Sequence, residues 1–214
     1  MKNIKKKLAD VTLIAYSSNN IKETIWALKK CCEKIEFASV KLVSDKTPLF
    51  LPKEIKLEKG QRIHDIMDYN HYVFSEFGKH VQTSHCLLVQ YHAYIIRPEL
   101  WDDSWLQYDY IGAPWAYSED AYVTSDGEHV RVGNGGFSLR SKKLLDLPKK
   151  KGIPLTHDRG FWNEDGNICV YHRQEFLKNG IRYAPIEVAS VFSFENEVPE
   201  NRGVKTFGFH KKLS

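Results

Sequence analysis

Three stretches of this 214-residue chain carry side chains suited to chemistry. They are Gln90-Tyr-His-Ala-Tyr-Ile95, Asp109-Tyr-Ile-Gly-Ala-Pro-Trp115 leading to Val132-Gly-Asn-Gly-Gly-Phe-Ser-Leu-Arg140, and Asn163-Glu-Asp165. Glu164 and Asp165 stand at the expected start of a helix. There the macrodipole lowers a carboxylate's pKa and keeps it ionised at neutral pH, which suits proton acceptance and equally suits plain helix capping. Gly133, Gly135 and Gly136 fit a tight bend with positive φ. His92 follows a strand, where an imidazole serves as a ligand or as a hydrogen-bonded structural residue. Trp101, Trp105 and Trp115 supply aromatic bulk for a core.

The elements that must position these residues begin with a strand, a helix and a second strand. Val11–Tyr16 is an apolar run suited to a strand buried on both faces, and Ser17 to Asn20 turn the chain. Asn20 is placed to cap a helix, with Glu23 three residues on to complete a capping box. Ile21, Ile25, Leu28, Cys32 and Ile35 then fall on one helical face, and Phe37–Ser44 returns as a strand. Right-handed crossover makes the two strands parallel neighbours. Ligands of such sheets collect beyond the carboxyl ends of the strands, so Tyr16, Ser17 and the Ser44–Asp45 pair are candidate nucleotide contacts. No glycine-rich phosphate loop follows the first strand, which argues against a dinucleotide-binding dehydrogenase and a P-loop enzyme.

Further along, Ile63 to Phe77 reads as a helix, Leu87–Val89 as a buried strand, and Tyr94–Ile96 as its extension or a strand beyond it. A short helix is expected near Ser141 to Leu147, a surface loop over Pro148 to Pro154, and a last clear helix from Glu164 to Gly180.

The length fits a single domain, and 42% hydrophobic with 27% charged residues fits an ordinary globular protein. Residues 1–10 read as a basic tail. The formal charge of +4 owes much to Lys2, Lys5, Lys6 and Lys7 at one end and Lys211 and Lys212 at the other. These read as solvated ends with at most weak contact to an anionic membrane surface or acidic partner. No apolar run is long enough to cross a bilayer, and the expected location is cytoplasmic. Basic residues are not interleaved with aromatics, so no nucleic-acid partner is expected. Cys31, Cys32, Cys86 and Cys169 read as reduced structural thiols.

Taken in order, the motifs resemble those of a group of bacterial and viral glycosyltransferase-like proteins, mostly of unassigned function. The shared pattern runs from a Gln-aromatic-Asp-Gly segment through Tyr108–Trp115 and Gly133–Arg140 to the Glu164–Asp165 pair and Phe207-Gly-Phe-His210. The resemblance implies an α/β, GT-A-like fold, in which a Rossmann-like nucleotide-binding half and an acceptor-binding half share a mixed, mostly parallel central sheet flanked by helices. It implies a hexosyltransferase that moves a sugar from a nucleotide-sugar donor, UDP-linked by fold analogy, to a glycan, lipid-linked sugar or other hydroxyl acceptor.

Within that resemblance Asp165, or else Glu164, is the base. A divalent cation such as manganese would be held by His92 and His210, with Gln90 on the nucleotide. Asp109, Trp115, Asn134, Gly135 and Gly136 would contact the sugar. The chain departs from the pattern where His92 and Ala93 replace Asp-Gly. Three outcomes follow: the two histidines share a metal, Arg or Lys neutralises the phosphates, or the chain is a catalytically degenerate sugar- or nucleotide-binding protein.

Overall fold

A computed structural model describes residues 5–157 and 163–211. The first strand, β1, spans Lys6–Tyr16 and starts well before the apolar run. Lys6 and Lys7 therefore belong to the sheet rather than to a basic tail, and they face Asp103 and Glu36. Lys2 and Lys212 lie outside the described residues.

Helix α1 covers Ile21–Cys31 and β2 covers Ile35–Ser44. The expected capping box is absent: the Asn20 carbonyl, not its side chain, accepts from the Thr24 amide and hydroxyl. Ile35, read as the last helical position, opens β2 instead. A short β3, Lys56–Lys59, follows. Helix α2, Ile66–Ser75, starts three residues later than the apolar spacing implied, because the Asp65 carboxylate caps the amides of Met67 and Asp68. Phe77 falls in a single 3-10 turn.

β4, His85–Val89, is followed by β5, Ala93–Ile95, which is a separate strand and not an extension of β4. β6, Tyr110–Ile111, and β7, Phe137–Ser141, flank the glycine bend. Helix α3 runs from Lys142 to Lys151 with Pro148 inside it, where a surface loop was expected; the proline ring is buried and the helix continues through it. The expected long helix at Glu164 is instead one short turn, α4 Glu164–Gly166, a π-helical turn over Asn167–Tyr171, and α5, Arg173–Lys178. α6, Ile186–Phe192, leads to β8, Ser193–Phe194, and β9, Gly208–His210, closes the chain.

The main sheet has the order β3-β2-β1-β4-β7-β6, and β7 alone runs against the other strands. Side chains alternate across it. Leu13, Ala15, Leu42, Leu87, Val89 and Leu139 meet α1 and α6, whereas Ile14, Val43, Cys86 and Leu88 meet α2 and α3. Trp101 and Trp105 pack edge-to-face in the first of these layers, as their aromatic bulk suggested. Burial pushes the Cys86 thiol up to about 12, which fits an inert structural cysteine. Among the described residues no helix is long and apolar enough to cross a membrane.

Two features of this topology place the functional segments together. The chain moves from β1 to β2 on one side and later to β4 on the other, so a crevice opens beyond the carboxyl ends of β1 and β4. Because β7 is antiparallel to β4, it begins where β4 ends, and the Gln90 amide donates to the Gly136 carbonyl at 2.9 Å. In a second sheet, ordered β5-β9-β8, Ala93 pairs with His210 and carries the chain's last histidine to the same edge.

Candidate active site

A cavity of about 540 Å³ lies beyond that edge. Its walls include Gln90, Trp115, Asn134, Gly135, Gly136, Glu164, Asp165 and His210, so motifs separated by as many as 120 positions share one space. A second cavity of about 360 Å³ adjoins it through Ile66, Tyr69 and Gln90, and is lined by Tyr16, Ser17 and Ser18. Asp45 lines neither; its carboxylate accepts from the Ser18 hydroxyl at 2.6 Å and braces the crevice from behind.

The glycines act differently from the sequence expectation. None of Gly133, Gly135 and Gly136 has positive φ; that conformation falls on Asn134, at φ 65°. Each glycine instead makes room for a side chain from elsewhere. A Cβ on Gly133 would stand 2.0 Å from the Trp115 ring, one on Gly135 2.3 Å from Glu164 Oε1, and one on Gly136 2.0 Å from His210 Nε2. Asn134 spends its Oδ1 on the Gly136 amide at 3.0 Å.

Glu164 and Asp165 divide their roles through their partners. Arg140, fully buried, donates to Glu164 Oε1 at 2.8 Å and to the Ser138 hydroxyl, and its guanidinium lies over the Tyr110 ring. Glu164 is thus committed to a buried ion pair. Asp165 accepts from the backbone amides of Gly135 and Gly166, each at 2.8 Å. Burial first, and then the neighbouring Glu164 charge, push the Asp165 carboxyl up to about 6; the two amides and Arg140 act in the opposite direction. The expected lowering by a helix dipole does not prevail, because α4 is a single turn.

His92 and His210 meet with ring centroids 4.7 Å apart, and Tyr91 stacks on His92. His210 Nδ1 lies 3.4 Å from Glu195 Oε1, and its Nε2 lies 3.4 Å from Gln90 Oε1. Among the described residues, no three His, Cys, Asp or Glu side chains are grouped to hold a metal ion. Among the described residues, the manganese site expected at His92 and His210 is two neighbouring imidazoles, with no third His, Cys, Asp or Glu grouped with them to hold an ion.

Asp109 and Trp115, expected at the sugar, are both held by other parts of the chain. Asp109 lines neither cavity; it accepts from the Ser141 hydroxyl at 2.6 Å and the Arg182 amide at 2.8 Å, tying β6 and β7 to the following segment. Trp115 lines the main cavity, but its ring is held between Gly133 and the stacked ring of Tyr122. Sequence reasoning missed Tyr69, Asn70, Tyr122, Glu195 and Asn196, which also line the cavity. Asn70 carried a legible signal, an amide among the buried positions of α2. Its Oδ1 accepts from the Glu164 amide at 3.4 Å and anchors the acidic corner.

With this geometry in view, comparison with known proteins assigns the family. A profile described as "Protein of unknown function (DUF5672)" matches residues 53–210. The chain belongs to that family. The match takes in every cavity segment from α2 to His210 and leaves out β1 and β2. No curated protein matches the chain.

Among solved structures, two glycosyltransferases are similar to this DUF5672 chain at 12% identity. The apo-form glycosyltransferase GlyE of Streptococcus pneumoniae TIGR4 has a TM-score of 0.40, with 89% of this chain and 46% of that one covered. The mannosyltransferase PcManGT of Pyrobaculum calidifontis, in complex with GDP-Man and Mn2+, has a TM-score of 0.46, with 81% and 53% covered. The chain spans about half the length of each.

Proposed function

We propose that this chain is a GT-A-like glycosyltransferase that moves a sugar from a nucleotide-sugar donor to a hydroxyl acceptor. The observation that carries the reading is the adjacency of two cavities that share Ile66, Tyr69 and Gln90 as walls, one at the carboxyl end of β1 and the other containing Asp165. The first suits the nucleotide and the second the transferred sugar and its acceptor. The acceptor oxygen attacks the anomeric carbon, its proton passes to Asp165, and the bond from that carbon to the diphosphate oxygen breaks with its electron pair on the leaving group. A carboxylate with a pKa of about 6 is ionised at neutral pH and basic enough to take that proton. Lys46, whose ammonium donates to the Ser18 carbonyl at 2.6 Å, stands beside the crevice to offset charge on the diphosphate.

A second reading, binding of a nucleotide sugar without turnover, is favoured by His92 standing where the resembling pattern has Asp. Release of nucleoside diphosphate separates the two. UDP-glucose, UDP-galactose, UDP-N-acetylglucosamine and GDP-mannose would be incubated with a mixture of acceptor glycans, with and without manganese. Transferase activity predicts release that rises with pH through about 6 and is lost in Asp165→Asn. Binding without release supports the second reading, and absence of binding to all four overturns both.

A further inference from the structure

Tyr122 sits in the loop between Trp115 and Gly133. Its φ is 59°, a left-handed conformation that is strained for a bulky residue. Two contacts hold it there. Its carbonyl accepts from the Val130 amide at 2.8 Å, and its ring stacks on Trp115 with centroids 4.2 Å apart and planes 14° from parallel. One face of the phenol ring is thereby covered by Trp115, and Tyr122 lines the cavity shared with Asp165 and Glu195. Burial raises the phenol's pKa, and the charges of Asp165 and then Glu195 raise it further, so both carboxylates are within electrostatic reach.

We propose that Tyr122 is the platform on which a pyranose acceptor stacks, with its C–H face on the phenol ring and a hydroxyl turned towards Asp165. The inference rests on the transferase reading and narrows its acceptor to a sugar ring, as opposed to a lipid alcohol or a protein hydroxyl. The remaining walls agree with this choice. Asn70, Asn134, Asn163, Asn196 and Gln90 line the same cavity, the Oδ1 atoms of Asn70 and Asn134 being already bonded to the Glu164 and Gly136 amides. Amides both donate and accept, as sugar hydroxyls do, whereas a lipid alcohol calls for apolar walls. A strained aromatic braced by a second aromatic presents a fixed flat surface, so little side-chain freedom is lost on stacking.

Saturation-transfer NMR tests this with methyl β-D-glucopyranoside, methyl β-D-galactopyranoside and methyl α-D-mannopyranoside in the presence of UDP or GDP. In the wild type, at least one glycoside should receive saturation mainly on the protons of one ring face. Tyr122→Phe keeps the stack and should behave alike. Tyr122→Ala, and Tyr122→Gly, which also relieves the backbone strain, should weaken glycoside binding about tenfold, the equivalent of one aromatic stacking contact, and leave nucleotide affinity unchanged. Equal glycoside binding by the wild type and Tyr122→Gly overturns this inference alone, as does a wild type that binds nucleotide but no glycoside. A wild type that binds neither nucleotide overturns the transferase reading and the inference with it.

Discussion

Replacing Asp165 by Asn makes its electrostatic environment measurable as stability. In the unfolded chain an aspartate titrates near the reference value of 3.8, whereas the folded chain holds Asp165 at about 6. Below the lower value both states are protonated and the residue has no effect. Between the two the folded chain binds the proton more tightly, so stability falls as pH rises, and above about 6 the full penalty is present. Two pKa units correspond to about 3 kcal/mol. Asparagine carries no charge and, like the protonated acid, has one carbonyl oxygen where the carboxylate uses two, so one of the backbone bonds from Gly135 and Gly166 is weakened.

Asp165→Asn should therefore gain stability relative to the wild type as pH rises from about 4 to about 8, by on the order of 3 kcal/mol across that range. Urea titrations followed by tryptophan fluorescence at several pH values, with both proteins in the same buffers, measure the difference. Contributions from all other titrating groups cancel to first order. A difference that stays constant across this range refutes the raised carboxyl pKa and the desolvated, charge-crowded site behind it.

Glu164→Gln removes the hydrogen-bonded counter-charge of the buried Arg140 guanidinium and should cost about 3–5 kcal/mol by chemical denaturation. The same change removes the Glu164 repulsion, so the Asp165 pKa should fall, read by carboxyl NMR titration. Gly136→Ala drives a methyl group into the His210 ring and should lower stability by about 1–3 kcal/mol, with His210 ring resonances shifted in NMR spectra. Asp109→Asn weakens the bonds to Ser141 and Arg182 and should lower stability by about 1–3 kcal/mol, with nucleotide affinity unchanged by calorimetry. A loss of nucleotide affinity at full stability would return Asp109 to the binding site.

The parts of the fold legible in the sequence are those whose signal is local. The apolar run of β1, the spaced helix after it and the apolar stretch of β2 announce a parallel unit, and β1 and β2 do pair in parallel. Boundaries slip where capping outweighs hydropathy, as at Asp65, or where a charged stretch joins a sheet, as at Lys6. Of the second sheet only β5 was legible, from Tyr94–Ile96; β8 and β9 are two and three residues long, too short for a periodic pattern. In the site, the segments stood out by composition, but their partners did not. The glycines are small because Trp115, Glu164 and His210 press against them, contacts formed only once β4, β7 and β9 are in place. Arg140 stood at the end of a segment singled out for chemistry, but its partner did not show, since only folding brings Glu164 to it across 24 positions. Tyr122 gave no warning, since an aromatic residue at positive φ runs against every local preference.

The most direct test of a single site spanning both cavities is a crystal structure with an intact nucleotide sugar, UDP-glucose or GDP-mannose, bound. The expected density has the nucleotide beside Tyr16 and Ser17 and the sugar between the Gly135–Gly136 bend and Asp165. A nucleotide bound on another surface, or a sugar lying away from Asp165, contradicts the transferase site.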